Sequence, residues 1–363
     1  MRALVAGWIG STNLGDELIY AALAAKLRAR GVEPIAISVD PDDTRLTHQT
    51  RAVNANDPVA MWRAGALSDV LLFGGGGLLQ DETSPLNLPY HLARTVPSRL
   101  RRRPVGLVGL GVGAVEGPLG KTIVRAAVSK RWPAAVRDEA SADLLRQLGH
   151  PSPALAADLV FSRPVPTVIK TDEVVVALRP KVARGRVLPA AARWRYGVGD
   201  DEEHASLAAQ IDAVCDATGL APHLVAFQSD RDGPLHEAVA ERMRHSARLS
   251  APTVADAAET VGTAQLVVGM RFHACVLATV AGVPSVALAY SHKVRALADE
   301  LGRGGAAVRT DESGLATIAA RAAEVVDGGA DVEAARQRLA ERERGNDAVL
   351  DAVLEAASAS SRH

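Results

Sequence analysis

Arg271 and His273 stand two residues apart in GMRFHACVLATVAGVPSVALAY, residues 269–290, a stretch with no other strongly polar side chain. A guanidinium grips carboxylate or phosphate oxygens in a fixed fork, and an imidazole titrating near neutral pH can deliver a proton. The pair predicts an anion site with a proton donor beside it. Lys293 follows the next apolar run, so two consecutive strand ends are expected to bring Arg271, His273 and Lys293 to one sheet edge. Arg137 in AAVRDEAS and Arg179 in VVVALRP also stand where a β-type run meets a loop.

Other groups suited to ligand contact lie nearer the N-terminus. GWIGSTNLGDE places Gly10, Asn13 and Gly15 in a turn before a helix that opens with Asp16 and Glu17. The glycines let main-chain N–H groups face a ligand at a helix N-terminus. Asp16 and Glu17 oppose a pyrophosphate there and suit a sugar hydroxyl or a helix cap. In FGGGGLLQDETS an apolar run enters Gly74–Gly77, so Gly75 and Gly76 are expected to admit a ligand or a neighbouring backbone closely, with Gln80 and Asp81 offering hydrogen bonds at the edge. Each pattern has a structural alternative: a capped turn, a glycine turn, or a local Arg137–Asp138 ion pair. The basic loop with Arg184, Arg186, Arg193 and Arg195 around Trp194 and Tyr196 reads as a lid, a sugar-binding loop or a solvated segment.

Positioning these groups requires a regular scaffold. Short β-type runs alternate with Ala-rich helical patterns at Ala3 to Gly7, Glu33 to Val39, Val70 to Phe73, Val105 to Leu110, Ala134 to Arg137, Glu173 to Leu178, His223 to Phe227, Gln265 to Val268 and Ser285 to Ala289. This βα rhythm predicts an α/β protein with parallel sheets covered by helices, whose chemistry sits in loops at the carboxyl ends of strands. At 363 residues two domains are expected, a Rossmann-like lobe over 1–160 and another over 170–330, with a cleft between the lobes. The Pro-rich stretch 151–173 reads as the link between them, and 331–363 as a charged helix with a frayed tail.

Composition narrows the function. A net charge of −1 gives no global field for nucleic acid, so no nucleic-acid partner is expected. Cys215 and Cys275 are isolated in apolar patterns and read as buried thiols in a reducing compartment. The histidines show no HxH or HExxH spacing, so no metal site is expected. The N-terminus is unlike a signal peptide, and no apolar run is long enough to span a bilayer. The cluster SRLRRRP, residues 98–104, reads as a solvated loop or as a contact with an anionic membrane surface.

Taken together, GWIGSTNLGDE, FGGGGLLQDETS, VRDEAS followed by LGH, ALAADLVF, VALRP and GMRFHACVLATVAGVPSVALAYSHKVRAL resemble the polysaccharide pyruvyl transferase family, in order from residue 7 to residue 297. The resemblance implies a GT-B-like fold. It also implies transfer of a pyruvyl group from phosphoenolpyruvate to two hydroxyls of a hexose in a cell-surface polysaccharide or glycolipid precursor, forming a cyclic ketal. Arg271 and His273 match the family's R-x-H motif. Arg271, Lys293 and Arg179 of the C-terminal lobe, with Arg137, would then bind the donor, His273 would protonate it, and Asp16, Glu17 or Asp81 would orient or deprotonate acceptor hydroxyls from the N-terminal lobe. Beyond the phosphoenolpyruvate donor no cofactor is implied. The acceptor, free or lipid-linked, and homo-oligomerisation stay open, and the expected location is the cytoplasm, including the inner face of the membrane. Two alternatives stand beside this reading: a GT-B nucleotide-sugar glycosyltransferase and a non-catalytic binding subunit of the same fold.

Overall fold

A computed structural model describes residues 1–80, 87–113, 115, 117–128, 132–180, 201–288, 292–302, 307–310, 315–328 and 331–360. The chain forms two compact units. The first comprises Met1–Ser11, Asp16–Arg163 and Leu339–His363, and the second Thr12–Gly15 and Pro164–Arg338.

The first unit is built on strands β1 (Arg2–Ile9), β2 (Glu33–Ser38), β3 (Arg51–Asn54), β4 (Val70–Gly74), β5 (Val105–Leu110), β6 (Ala134–Val136) and β7 (Ala154–Leu155). They form one parallel sheet in the order β3-β2-β1-β4-β5-β6-β7. The central strands VLLFG and VGLVGL are buried along their whole length, because helices cover both faces. Leu4, Leu71, Phe73, Leu107, Leu110 and Val136 form the middle of the core. Gly106 in β5 lets the C-terminal helix Gly345–Ser360 approach closely, since a Cβ there would stand 2.6 Å from Val353 Cγ2.

The second unit carries β8 (Glu173–Ala177), β9 (Ala221–Val225), β10 (Arg248–Ser250), β11 (Leu266–Gly269), β12 (Ser285–Leu288) and β13 (Ala307–Thr310). These also pair in parallel, in the order β10-β9-β8-β11-β12-β13. Val174, Val176, Leu224, Leu266, Val268 and Val286 pack beneath the flanking helices. In each sheet the strand order reverses beside the unit's first strand, between β1 and β4 and between β8 and β11. Ligand sites of open α/β sheets form in the loops at such switch points.

Every interior strand coincides with one of the nine expected apolar runs. The four strands absent from that reading, β3, β7, β10 and β13, are the four sheet edges. An edge strand needs no continuous apolar run, because one flank is unpaired and its side chains are less enclosed.

The division between units falls at Arg163/Pro164, inside the stretch 151–173 expected as the link, and the first part of that stretch is packed, with Leu159, Val160 and Phe161 of the 3-10 turn Leu159–Ser162 buried. Residues 331–360 carry two helices where one was expected, Val332–Glu343 and Gly345–Ser360, and the second buries Val349, Leu350, Val353 and Leu354 in the first unit. Lys26 Nζ reaches Glu343 at 3.1 Å and Asp347 at 2.9 Å, and Arg30 pairs with Asp347 and Asp351. A helix stapled by apolar burial and this ion network is part of the domain.

Both cysteines are buried free thiols, and burial pushes each up to about 12. No helix among the described residues is long and apolar enough to cross a membrane.

Candidate functional site

The second unit gathers ionisable side chains at the carboxyl ends of β8, β9 and β11. Register fixes their starting points: Ala177 at the end of β8 pairs with Gly269 at the end of β11, and Val176 with Leu224 of β9. Arg179 follows β8 by two residues. Arg231 and Asp232 lie in the first turn of helix Ser229–Ala240 after β9, and Arg271 caps helix Phe272–Val280 after β11. Sheet order thus makes neighbours of residues up to 92 positions apart (271 − 179).

Asp232 organises this group. Its carboxylate is fully buried and accepts the backbone N–H groups of Phe227 at 3.1 Å and Gln228 at 3.0 Å. It also accepts Arg271 Nε at 3.0 Å and, through its other oxygen, Arg271 Nη2. Burial pushes the carboxyl up from its ordinary range, while Arg271 and the two amides pull it back. The expected anion-binding Arg271 is therefore a guanidinium locked by a bidentate carboxylate, leaving its remaining N–H donors for a ligand. Burial lowers the proton affinity of Arg231, and the nearby charges of Arg271 and Arg179 lower it further while Asp232 opposes them. Asp230 stands 3.8 Å from Arg231 Nε.

His273 opens the helix capped by Arg271, its ring edge-on to Phe272 at 5.0 Å. The imidazole lies directly against the backbone of Gly15, where an added Cβ would overlap Nδ1. Gly15 is held there by its neighbours. Leu14 N–H donates to Phe227 O at 2.8 Å, Asn13 bridges Gln228, Asn13 Oδ1 accepts Gly15 N–H at 3.2 Å, and Thr12 Oγ1 donates to Asp230 Oδ1 at 2.8 Å. This is why Thr12–Gly15 counts with the second unit. Gly15→Ala should force the ring aside and lower kcat about tenfold or more, given how steeply rate depends on placement of a reacting group. Steady-state kinetics beside a circular dichroism spectrum checks this. An active, folded Gly15→Ala protein would show that the ring position is immaterial.

His236, fully buried behind Asp232, has its Nε2 3.4 Å from Leu178 O. Burial pushes it down to about 4 from 6.5, so it is neutral near pH 7. The unfolded chain takes up this proton before the folded one, so the contribution to stability is complete above pH 6.5 and is lost as pH falls toward 4. Denaturant titrations across that window should show a slope about 1 kcal/mol per pH unit shallower in His236→Gln than in the parent. Equal slopes would mean that the imidazole is hydrated or charged in the fold.

The other expected site residues divide between the units. Lys293 is the second residue of helix His292–Gly302 after β12, rather than at a strand end, and its side chain lies outside the described residues. Arg137 belongs to the first unit. Its buried side chain stands 3.3 Å from Asp158 and 3.4 Å from Asp138, with its plane against Gly111. These contacts place Arg137 in a buried ion pair of the first unit. Asp138 meanwhile caps helix Glu139–Gln147 through Ser141 N.

Glu17 is paired within the fold as well. Its Oε1 accepts Gly10 N–H at 2.7 Å and Ser11 N–H at 3.3 Å, and its Oε2 meets His48 Nε2 at 2.7 Å. With both oxygens committed in a buried position, Glu17 fixes the first loop and is not placed to deprotonate an acceptor. Gly10 takes φ +74° against Ser38 and Asp40, and Gly75 takes φ +63° over Ile19. Gly76, at φ +71°, faces Asp16, whose Oδ1 would be 3.0 Å from a Cβ there. Asp16 is thus the half-buried carboxylate over the glycine loop. Gln80 packs against Gly113, while Asp81 and the basic loop Arg184 to Tyr196 lie outside the described residues.

Sequence reasoning missed Arg231, Asp232 and His236. The signal was present: FQSDRDGPLHE follows an expected strand, and the rule that chemistry sits after strand ends applies to it as it does to GMRFH. Arg94 was missed as well. It stacks 4.3 Å over the Tyr90 ring with Nη1 3.4 Å from Gly7 O, a buried cation at the carboxyl part of β1. Among the described residues no group of three His, Cys, Asp or Glu could hold a metal ion.

Two Rossmann-like units with loops of this kind at their strand ends define the GT-B-like class. Solved structures agree. The putative UDP-N-acetylglucosamine 2-epimerase of Listeria monocytogenes aligns over 97% of this chain and 95% of its own, at TM-score 0.62 and 9% identity. S. aureus MnaA, in a structure with UDP, aligns over 96% and 94% at TM-score 0.59 and 12% identity. The spinosyn rhamnosyltransferase SpnG, complexed with thymidine diphosphate, aligns over 97% and 100% at TM-score 0.55 and 17% identity. At these identities the likeness concerns the fold. No curated protein matches significantly in sequence. The polysaccharide pyruvyl transferase family model matches residues 13–292, and the chain belongs to that family.

Proposed function

We propose that the protein transfers a pyruvyl group from phosphoenolpyruvate to two hydroxyls of a hexose in a polysaccharide or glycolipid precursor, forming a cyclic ketal and releasing phosphate. The observation that carries the reading is Arg271, held by the buried Asp232 next to Arg231, at the start of the helix that carries His273, within a chain of this family. Phosphoenolpyruvate is small and carries a carboxylate and a phosphate, so its recognition calls for several fixed guanidiniums and a proton donor in one place.

In this scheme His273 protonates the methylene carbon C3 as a sugar hydroxyl adds to C2 and gives up its proton. The product is a tetrahedral phospho-ketal. Phosphate then leaves with the C2–O bonding pair, its charge stabilised by the arginines, and the second hydroxyl closes the ring on C2 and loses its proton. Arg231 takes the donor-binding place expected for Arg137, Arg271 binds while braced by Asp232, and Asp16 orients the acceptor.

Phosphate release from phosphoenolpyruvate, followed across a panel of hexose glycosides, tests the proposal. Release that depends on a sugar, with a pyruvyl ketal in the product by mass spectrometry, is the expected result. Consumption of a nucleotide sugar instead would favour the glycosyltransferase reading, and no turnover with any acceptor would favour a binding subunit.

A further inference from the structure

The first unit has a second unusual surface, at helices Pro58–Leu67 and Val96–Leu100. The two helices pack on each other through Gly65 and Pro97, where a Cβ on the glycine would stand 2.9 Å from Pro97 Cβ. Their outward sides are apolar. Val59, Trp62, Leu67, Val96 and Leu100 are each between 44% and 68% exposed, and Val59, Trp62 and Ala66 follow one stripe of the first helix at i, i+3 and i+7. Large apolar side chains clustered on adjoining helices, unlike scattered ones, mark a surface that something covers.

Charge identifies the occupant. Arg63, Arg99, Arg101 and Arg102 are exposed on the same two helices and the turn that follows. None of them has an ion pair among the described residues. From residue 87 to residue 115 the sequence has no Asp or Glu, although the whole chain has a net charge of −1. The excess is therefore local. Arg102 also holds φ +55°, a left-handed backbone where glycine would be the cheaper residue. Arg63 and Leu67 continue into an open groove of about 880 Å³ at the amino edge of β1–β3, whose other cations are Arg2, Arg28, Arg45 and Arg51 against Glu33. Exposed Trp, Leu and Val interspersed with unpaired arginines match the layered chemistry of a bilayer surface, apolar below and anionic above.

We propose that this face docks peripherally on an anionic phospholipid membrane, with Trp62 and Leu100 entering the interface and Arg63, Arg99, Arg101 and Arg102 contacting lipid phosphates. The docking involves no substrate, so it stands or falls separately from the proposed reaction. Each basic side chain near such a surface strengthens binding several-fold, and added salt weakens it.

The test is co-sedimentation of the full chain with vesicles of phosphatidylcholine and phosphatidylglycerol in equal parts, and with phosphatidylcholine alone. The expected result is binding to the mixed vesicles that high salt releases, and binding about a hundredfold weaker for R99E/R101E/R102E. With brominated lipid in the mixed vesicles, tryptophan quenching should appear in the parent and be largely absent in Trp62→Phe. That conservative substitution keeps the readout independent of whether the charge-reversed protein folds. The proposal is overturned if vesicles bind equally without phosphatidylglycerol, if charge reversal leaves sedimentation of folded protein unchanged, or if quenching persists in Trp62→Phe. It is equally overturned if the chain ignores vesicles while Trp62 is buried in a dimer, or if it binds duplex oligonucleotide through this face and vesicles not at all.

Discussion

His273→Ala is expected to lower kcat by about a hundredfold or more while leaving phosphoenolpyruvate affinity within a few-fold of the parent. General acid catalysis by a placed side chain contributes on this order, and the donor would be held by guanidiniums that the substitution does not touch. The geometry separates this from a packing effect. His273 is half-buried over Gly15 and belongs to neither apolar core, so its truncation removes little apolar packing. Thermal unfolding should change little. A drop in kcat with an unchanged melting curve and near-parental donor binding supports the assignment. Parental turnover removes His273 from the chemistry, and a drop confined to KM makes it a binding group. His273→Gln refines the result: it retains hydrogen bonding without an ionisable proton, so it should resemble Ala in kcat.

The largest stability effect should come from Asp232→Ala. Removing one partner of a buried pair leaves an uncompensated charge and costs about 3 to 5 kcal/mol. Here the substitution also strands the N–H groups of Phe227 and Gln228, which converge on Asp232 Oδ2 together with Arg271 Nε. Urea denaturation should show the loss directly. Donor binding should weaken in any protein that stays folded, since Arg271 loses the brace that aims its guanidinium. The double variant Asp232→Leu with Arg271→Met separates the two effects: it should regain the part of the stability lost to the unpaired charge, though not the part lost with the Phe227 and Gln228 N–H bonds, and yet bind donor poorly. A loss under about 1 kcal/mol in Asp232→Ala would mean that the pair is hydrated and that Arg271 is held by something else.

These two predictions differ in how far the sequence could anticipate them. His273 was legible because it interrupts an apolar pattern at the junction of a strand and a helix, and such an interruption needs a chemical reason. Asp232 was not singled out, though it lies two residues from Asp230 in an equally suggestive strand-to-helix junction, because SDRDG also reads as a polar helix opening. Glu17 illustrates the converse. An acidic residue in the first turn of a helix after a glycine loop looks available to a ligand, but His48, 31 residues away, occupies its second oxygen. Arg137 was drawn toward the donor by its motif, and the fold gives it Asp158.

By itself the sequence determined the two parallel α/β units, because a strand covered on both faces must be apolar throughout and the pattern shows this without knowledge of its neighbours. It also determined that Arg271 and His273 sit where strand gives way to helix, because glycine and the change from strand to helical period mark that junction locally. Only the tertiary structure decided which ionisable groups meet. Asp232 reaches Arg271 because β8 lies between β9 and β11, and Gly15 reaches His273 because Asn13 and Leu14 are bonded to the loop after β9. Strand order and loop anchoring are properties of the assembled sheet. Local patterns report burial and period, and a buried charge takes the partner that the fold brings to it.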